Sequence, residues 1–212
     1  MSQKFYTPGE EVANAVTHGI GTLCALAAIV VLSVFSALYG NTLTIVSVSI
    51  YGATLLVLYL SSTLYHAIDR EKAKFVFRVF DHCNIFLLIA GTYTPIVLSG
   101  IGGAFGWTVF GLIWAVAAIG IVLNAVNLKR YAKISLLLYI LMGWAIIFTF
   151  SSLKTALGME SVILLIGGGV SYTVGVLFFV LRKKYTHAVW HLFVLGGSIL
   201  HFFAILRGVV LV

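Results

Sequence analysis

Charge is scarce in this sequence, and acidic charge scarcest: of 212 residues 13 are Lys or Arg and 6 are Asp or Glu, together 9%. A soluble domain carries roughly a quarter charged residues. With 61% hydrophobic residues and a mean hydropathy of +1.12, the chain has no ordinary aqueous surface to offer, and an integral membrane protein is the class that remains. Only two prolines occur, so long helices can run almost unbroken. Two cysteines, Cys24 and Cys83, exclude a disulfide framework. Both are expected to be small buried apolar residues, with Cys83 holding a minor claim as a soft metal ligand. No linker, repeat or low-complexity tract divides the sequence, so one domain is expected over residues 1–212. A cleaved signal peptide is not expected either, because Glu10 and Glu11 precede an apolar run longer than the usual signal core.

What the sequence has in abundance is long apolar runs. About 20 apolar residues in a helix cross a ~30 Å hydrocarbon core. Seven such runs cover residues 18–38, 43–65, 79–99, 106–126, 134–153, 161–181 and 187–206. They are apolar on every face, whereas barrel strands alternate over about ten residues. Helices are the consistent choice.

The net charge of +7 orients the bundle and does not require nucleic acid. With the N-terminus in the cytoplasm, Lys4, Arg70, Lys72, Lys74, Arg78, Lys129, Arg130, Lys133, Arg182, Lys183 and Lys184 lie on the cytoplasmic side, and only Lys154 and Arg207 lie outside. That is the positive-inside bias, with anionic lipid headgroups as the natural counter-charge. The expected fold is therefore all-α: a seven-transmembrane helix bundle, N-terminus cytoplasmic and C-terminus outside, resident as a multi-pass protein in a membrane. The polar connection over residues 67–78, where Phe75 and Phe77 interleave with four cations, is expected to lie along the headgroup boundary. Before the first run, Thr7, Pro8 and Glu10 form a capping box.

Ionisable groups at membrane depth are costly, which makes them functional candidates. His66 ends the second run, and His187 and His191 open the last with the spacing H-x3-H, which puts both imidazoles on one helix face. If those helix ends meet, three neutral imidazoles supply the protein ligands of a zinc site that keeps a position for water. Between the two histidines stand Ala188, Val189 and Trp190, so a general base must come from another helix. Asp81, at the start of the third run, is the candidate to hold a water polarised by the metal. Ser62, one turn before His66, either positions His66, the water or a developing oxyanion, or bonds back to a helix carbonyl. Glu11, Asn14 and His18 share one face at i, i+3 and i+7. They are either hydrogen-bond partners around the metal, or a complement to the helix N-terminus plus an interfacial histidine. His201, ten residues past His191, lies about 15 Å deeper, too far for the same metal. It is left to contact a ligand in a cavity or to bond a neighbouring helix. His82 is expected at the interface, and Pro95 is expected to bend the third run.

Taken together, Glu11-x2-Asn14-x3-His18, Ser62-x3-His66, Asp81 in D-H-C-N-I-F-L-L-I-A-G-T-Y-T-P, and His187-x3-His191 with His201 in L-H-F-F resemble the progestin and adipoQ receptor superfamily, and within it the bacterial hemolysin III branch. The resemblance spans nearly the whole chain. It implies a seven-helix protein with its N-terminus inside and zinc bound by His66, His187 and His191 near the cytoplasmic face. Asp81 and Ser62 match positions that accompany the metal through water or hydrogen bonds. The superfamily looks related to alkaline ceramidases, which implies hydrolysis of a lipid amide or acyl bond, a membrane lipid as substrate or ligand, and a place in membrane-lipid homeostasis. A receptor-like sensor with structural zinc is the alternative. The branch name adds a third, a cytolysin, against which long resident helices with basic cytoplasmic loops argue.

Overall fold

The computed structural model describes residues 6–181 and 183–212. Lys4 and Arg182, two of the cations used to orient the chain, lie outside the described residues. Among those described, every regular element is helical: α1 (Pro8–Tyr39), α2 (Thr42–Ala67), α3 (Glu71–Pro95), α4 (Gly103–Trp144), α5 (Phe150–Leu181) and α6 (Thr186–Ile205). A π-helical turn, Ile96–Ile101, extends α3 past Pro95, where the proline ring removes the donor that Gly91 would have used. A second, Leu206–Val210, extends α6.

α1 starts at the capping box, where Thr7 Oγ1 accepts from Glu10 N at 3.4 Å and Glu10 Oε2 accepts from Thr7 N at 2.9 Å. The helix thus begins ten residues ahead of its apolar run. Glu10, Asn14, His18, Gly21, Ala25, Ala28, Leu32 and Ser36 form its single buried stripe. Val12, Val16, Ile20, Leu23 and Val30 face outward and are exposed, as a lipid-facing surface requires. α3 likewise begins at Glu71. The segment expected along the headgroups is the first two turns of a helix, because Lys and Arg stems at a helix end can carry their charges to the interface. His18 and Asp81 are therefore inside helices, each ten residues past the first, and not at their starts.

Five helical spans are long and apolar enough to cross a bilayer: Pro8–Tyr39, Thr42–Ala67, Glu71–Ile101, Gly103–Leu181 and Thr186–Val210. The seven expected runs have become five because the fourth, fifth and sixth are joined in the 79-residue span. Straight, that span would be about 120 Å long. It is not straight. Ser135 Oγ donates to Asn124 Oδ1 at 2.6 Å, and Asn124 Nδ2 lies 3.0 Å from the Tyr139 hydroxyl. In a continuous helix the first pair would be about 16 Å apart. The chain reverses at Asn127 (φ −160°, ψ 89°), whose side chain accepts from Arg130 N at 3.0 Å and so caps the restarted helix. A second break falls at Gly158 (φ 74°, ψ 160°), a left-handed conformation suited to glycine. Trp144 Nε1 donates to Thr173 Oγ1 at 3.0 Å across that reversal.

α3 is the most enclosed span, packed between α2 and α4, while α1 lies against both α2 and α6. This arrangement matters for the site. The end of α2, the start of α6 and the first turns of α1 meet at one end of the bundle. The exposed Arg207–Glu160 ion pair, at 2.8 Å, marks the other end.

Candidate metal centre

His66 is the last residue but one of α2, and His187 and His191 occupy the first two turns of α6. Their ligand atoms all lie within 4.8 Å of one another, and all three side chains are buried. The Nε2 atom of each is buried without a hydrogen-bond partner. On two of the rings the opposite nitrogen is engaged. His66 Nδ1 lies 2.6 Å from Glu11 Oε2, and His191 Nδ1 lies 3.0 Å from Thr17 Oγ1 and 3.2 Å from the Asn14 carbonyl. With the proton on Nδ1, the His66 and His191 rings each donate to an oxygen and keep an unprotonated Nε2 for a metal. Metal-binding histidines are oriented in this way, so the donor set fits a divalent ion that takes imidazole ligands. The triad could hold a metal ion.

α1 supplies the surroundings. Glu11 Oε1 pairs with Lys74 Nζ at 2.9 Å, and that ammonium also donates to the Tyr65 carbonyl at 3.0 Å. Asn14 Nδ2 lies 3.5 Å from His66 Nδ1. His18 stacks on His191 with ring centroids 3.4 Å apart and planes within 12°. The three residues read as one helix face thus do reach the histidines, and the alternative of a plain N-terminal charge complement does not describe Glu11.

Asp81, on α3, is 2% exposed and does not belong to the mutually close ligand set. Its carboxylate lies 3.7 Å from His82 Nδ1, a nitrogen held 2.9 Å from the Arg78 carbonyl. Ser62 adjoins Asp81, and its buried hydroxyl makes no bond of ordinary geometry, so the back-bond to a helix carbonyl is not formed. His201 stands apart from the triad, with Nε2 3.1 Å from the Leu165 carbonyl on α5 and its ring edge-on to Tyr172. Cys83 is buried and contacts the Ile121 carbonyl; it is no part of the ligand set. Cys24 is exposed, not buried as expected, because it falls on the outer face of α1, where a small apolar thiol is compatible with lipid.

A cavity of about 700 Å³ runs through the bundle beside the site. Its wall includes Arg78 and Lys129 towards the basic end, Asp81 and His18 beside the histidines, and Tyr172 and His201 farther in. None of the three triad histidines lines it. His18, Phe179 and Trp190 in its wall pack against them.

Tyr6, Thr17 and Lys74 also belong to the site, and the sequence marks none of them as a site residue. Tyr6 precedes any apolar run, yet its ring centroid is 4.9 Å from that of His187 and 5.6 Å from that of His66, covering both rings. Burial pushes its phenol pKa up, so it stays neutral. Thr17 had a usable signal, a hydroxyl one turn from Asn14 on the polar face. Lys74 had none to separate it from the other interfacial cations. Glu10, read only as a cap, also accepts from Tyr185 N at 2.9 Å and so ties the start of α1 to the turn that leads into His187.

Comparison with known proteins finds a family and several relatives. The model of a family described as haemolysin-III related matches residues 6–202. The chain is similar to Hemolysin-3 of Bacillus cereus, 43% identical over 198 residues, 93% of this chain and 90% of that protein. It is 44% identical to the Hemolysin-3 homolog of Bacillus subtilis (strain 168) over 202 residues, 95% of each. It is 28% identical to the human monocyte to macrophage differentiation factor over 207 residues, 92% of this chain and 83% of that one.

Proposed function

The chain belongs to the haemolysin-III related family, and from that premise we propose a zinc-binding, seven-crossing membrane protein that hydrolyses an amide or acyl bond of a membrane lipid. The reading rests foremost on one observation: three buried histidines with ligand atoms within one sphere, each with an Nε2 that has no partner among the described residues, while the opposite nitrogens of two of these rings are engaged. His66, His187 and His191 would hold the ion. Zinc in such a site supplies Lewis acidity, which polarises a carbonyl and eases deprotonation of water.

The chain's own residues carry the remaining roles. Glu11 accepts from His66 Nδ1 and fixes that ring, with Lys74 balancing its charge. Asn14 and Thr17 do the same for His191. Asp81, buried in the cavity wall, would take a proton from water, and Ser62 beside it would offer a hydroxyl to the carboxylate or a developing oxyanion. Tyr6 shields the histidines, and the apolar cavity admits lipid. Nucleic acid has no role in this reading. The reversals at Asn127 and Gly158 support three crossings within residues 103–181, and hence seven in all, with the histidine end in the cytoplasm.

One observation favours a second reading, a receptor-like sensor with structural zinc: the triad does not itself line the cavity. Elemental analysis of the purified protein and of His66→Ala, joined to lipid turnover by Asp81→Asn, separates the two. A hydrolase gives one zinc per chain, little in His66→Ala, and an Asp81→Asn variant that keeps zinc but loses turnover of a lipid found to accumulate when the gene is deleted. Unchanged turnover in Asp81→Asn overturns the hydrolase and leaves the sensor. The cytolysin reading draws on relatives' names alone, and dye release from liposomes by the purified protein would be its support.

A further inference from the structure

We propose that His18 is the positioning residue through which an amphiphile in the cavity engages the metal centre, an inference that rests on the metal reading above. Its place is particular. The ring stacks on His191 at 3.4 Å and also lines the cavity, which none of the triad does. Phe179 and Trp190 share that place in the wall against the triad, and of the three only His18 offers both a donor and an acceptor.

The chemistry of the ring points the same way. His18 is 2% exposed, and both of its nitrogens are buried without a hydrogen-bond partner. A buried imidazole with neither nitrogen satisfied is costly, so a partner from outside the protein is the economical explanation. Its protein neighbours are aromatic: Tyr59 edge-on at 5.0 Å, Trp190 at 6.4 Å and the stacked His191. These hold the ring and use neither nitrogen. Nor is His18 a fourth ligand, since the mutually close ligand atoms belong to His66, His187 and His191. Core packing alone would be served as well by phenylalanine. A neutral imidazole offers one donor and one acceptor, and the Asp81 carboxyl accepts in either protonation state. The head that satisfies both groups carries a carbonyl together with an N–H or O–H, as an amide or carboxylic acid does.

The test uses zinc-loaded, full-length protein in lipid nanodiscs and two metal-seeking probes, dodecanohydroxamic acid and acetohydroxamic acid. His18→Phe keeps an aromatic ring to stack on His191 but removes both nitrogens. We expect its zinc content and its resistance to a competing chelator to equal those of the wild type, while affinity for both probes falls about tenfold. His18→Gln, which restores hydrogen bonding, should recover most of the loss. Wild-type affinity in His18→Phe overturns the proposal, and so does a loss confined to the long probe, which would make His18 a wall of the cavity. Parallel loss of zinc in both variants also overturns it, because the ring would then only brace His191. A wild-type protein that takes up no zinc at all defeats the metal reading itself, and this inference with it.

Discussion

At the scale of single residues, the site depends on what turns each imidazole. Glu11 is the informative case, because its carboxylate bonds His66 Nδ1 at 2.6 Å and leaves Nε2 free to face its counterparts. Glu11→Ala should lower zinc affinity about 10–100-fold, the usual cost of removing such an orienting group. Helix content by circular dichroism should not change, since the helix is started by Thr7 and Glu10 instead. Competition with a fluorescent zinc chelator measures the affinity; wild-type affinity would show that packing alone orients His66. The triad itself was legible in the sequence because membrane depth makes each histidine expensive, and H-x3-H fixes two of them on one face. The partners of those histidines were less so. Thr17 and Tyr6 are not charged and carry no comparable cost, so burial could not flag them. Only the fold shows that the residue ahead of the first cap lies across two of the histidines.

At the scale of elements, hydropathy located the helices but misplaced their ends. α1 and α3 each start eight to ten residues early, because the helical turns outside the apolar runs carry inward polar groups or interfacial cations. The two turns at Asn127 and Gly158 fall between runs as expected, yet helical geometry continues almost up to each. Close packing was not readable at all: nothing in the sequence separates Gly106 from Gly111. In the structure a Cβ on Gly106 would collide with the backbone carbonyl of Val97, which cannot move aside without shifting the turn after Pro95. A Cβ on Gly111 would meet nothing within 4 Å. Gly106→Ala should therefore destabilise by about 1–3 kcal/mol. Gly111→Ala should be neutral or slightly stabilising, by at most about 1 kcal/mol. Thermal unfolding in detergent compares them directly, and equal midpoints for the two variants would contradict the packing of this turn.

For the whole molecule, the decisive question is how residues 103–181 meet the membrane. Five crossings and seven both leave the termini on opposite sides, so locating the ends settles nothing. The turn at Asn127 and the segment before Gly158 do discriminate. The hairpin closed by the Ser135–Asn124 and Tyr139–Asn124 contacts, with the Tyr139 hydroxyl also donating to the His82 carbonyl near the start of α3, puts the turn before Arg130 at the end of the bundle where α3 begins, whereas Lys154 is six residues from Glu160 of the Arg207–Glu160 pair. The charge distribution agrees, with Lys129, Arg130 and Lys133 at the first turn and a single Lys154 near the second. In a background where Cys24 and Cys83 are alanine, single cysteines at the exposed positions 72, 130 and 154 read the topology with a membrane-impermeant maleimide. Lys154→Cys should react in intact cells. Lys72→Cys and Arg130→Cys should react only after permeabilisation. Labelling of 130 and 154 from the same side would mean that the chain between them returns without crossing. The histidine end would then lose the cytoplasmic assignment that the distribution of charge gives it.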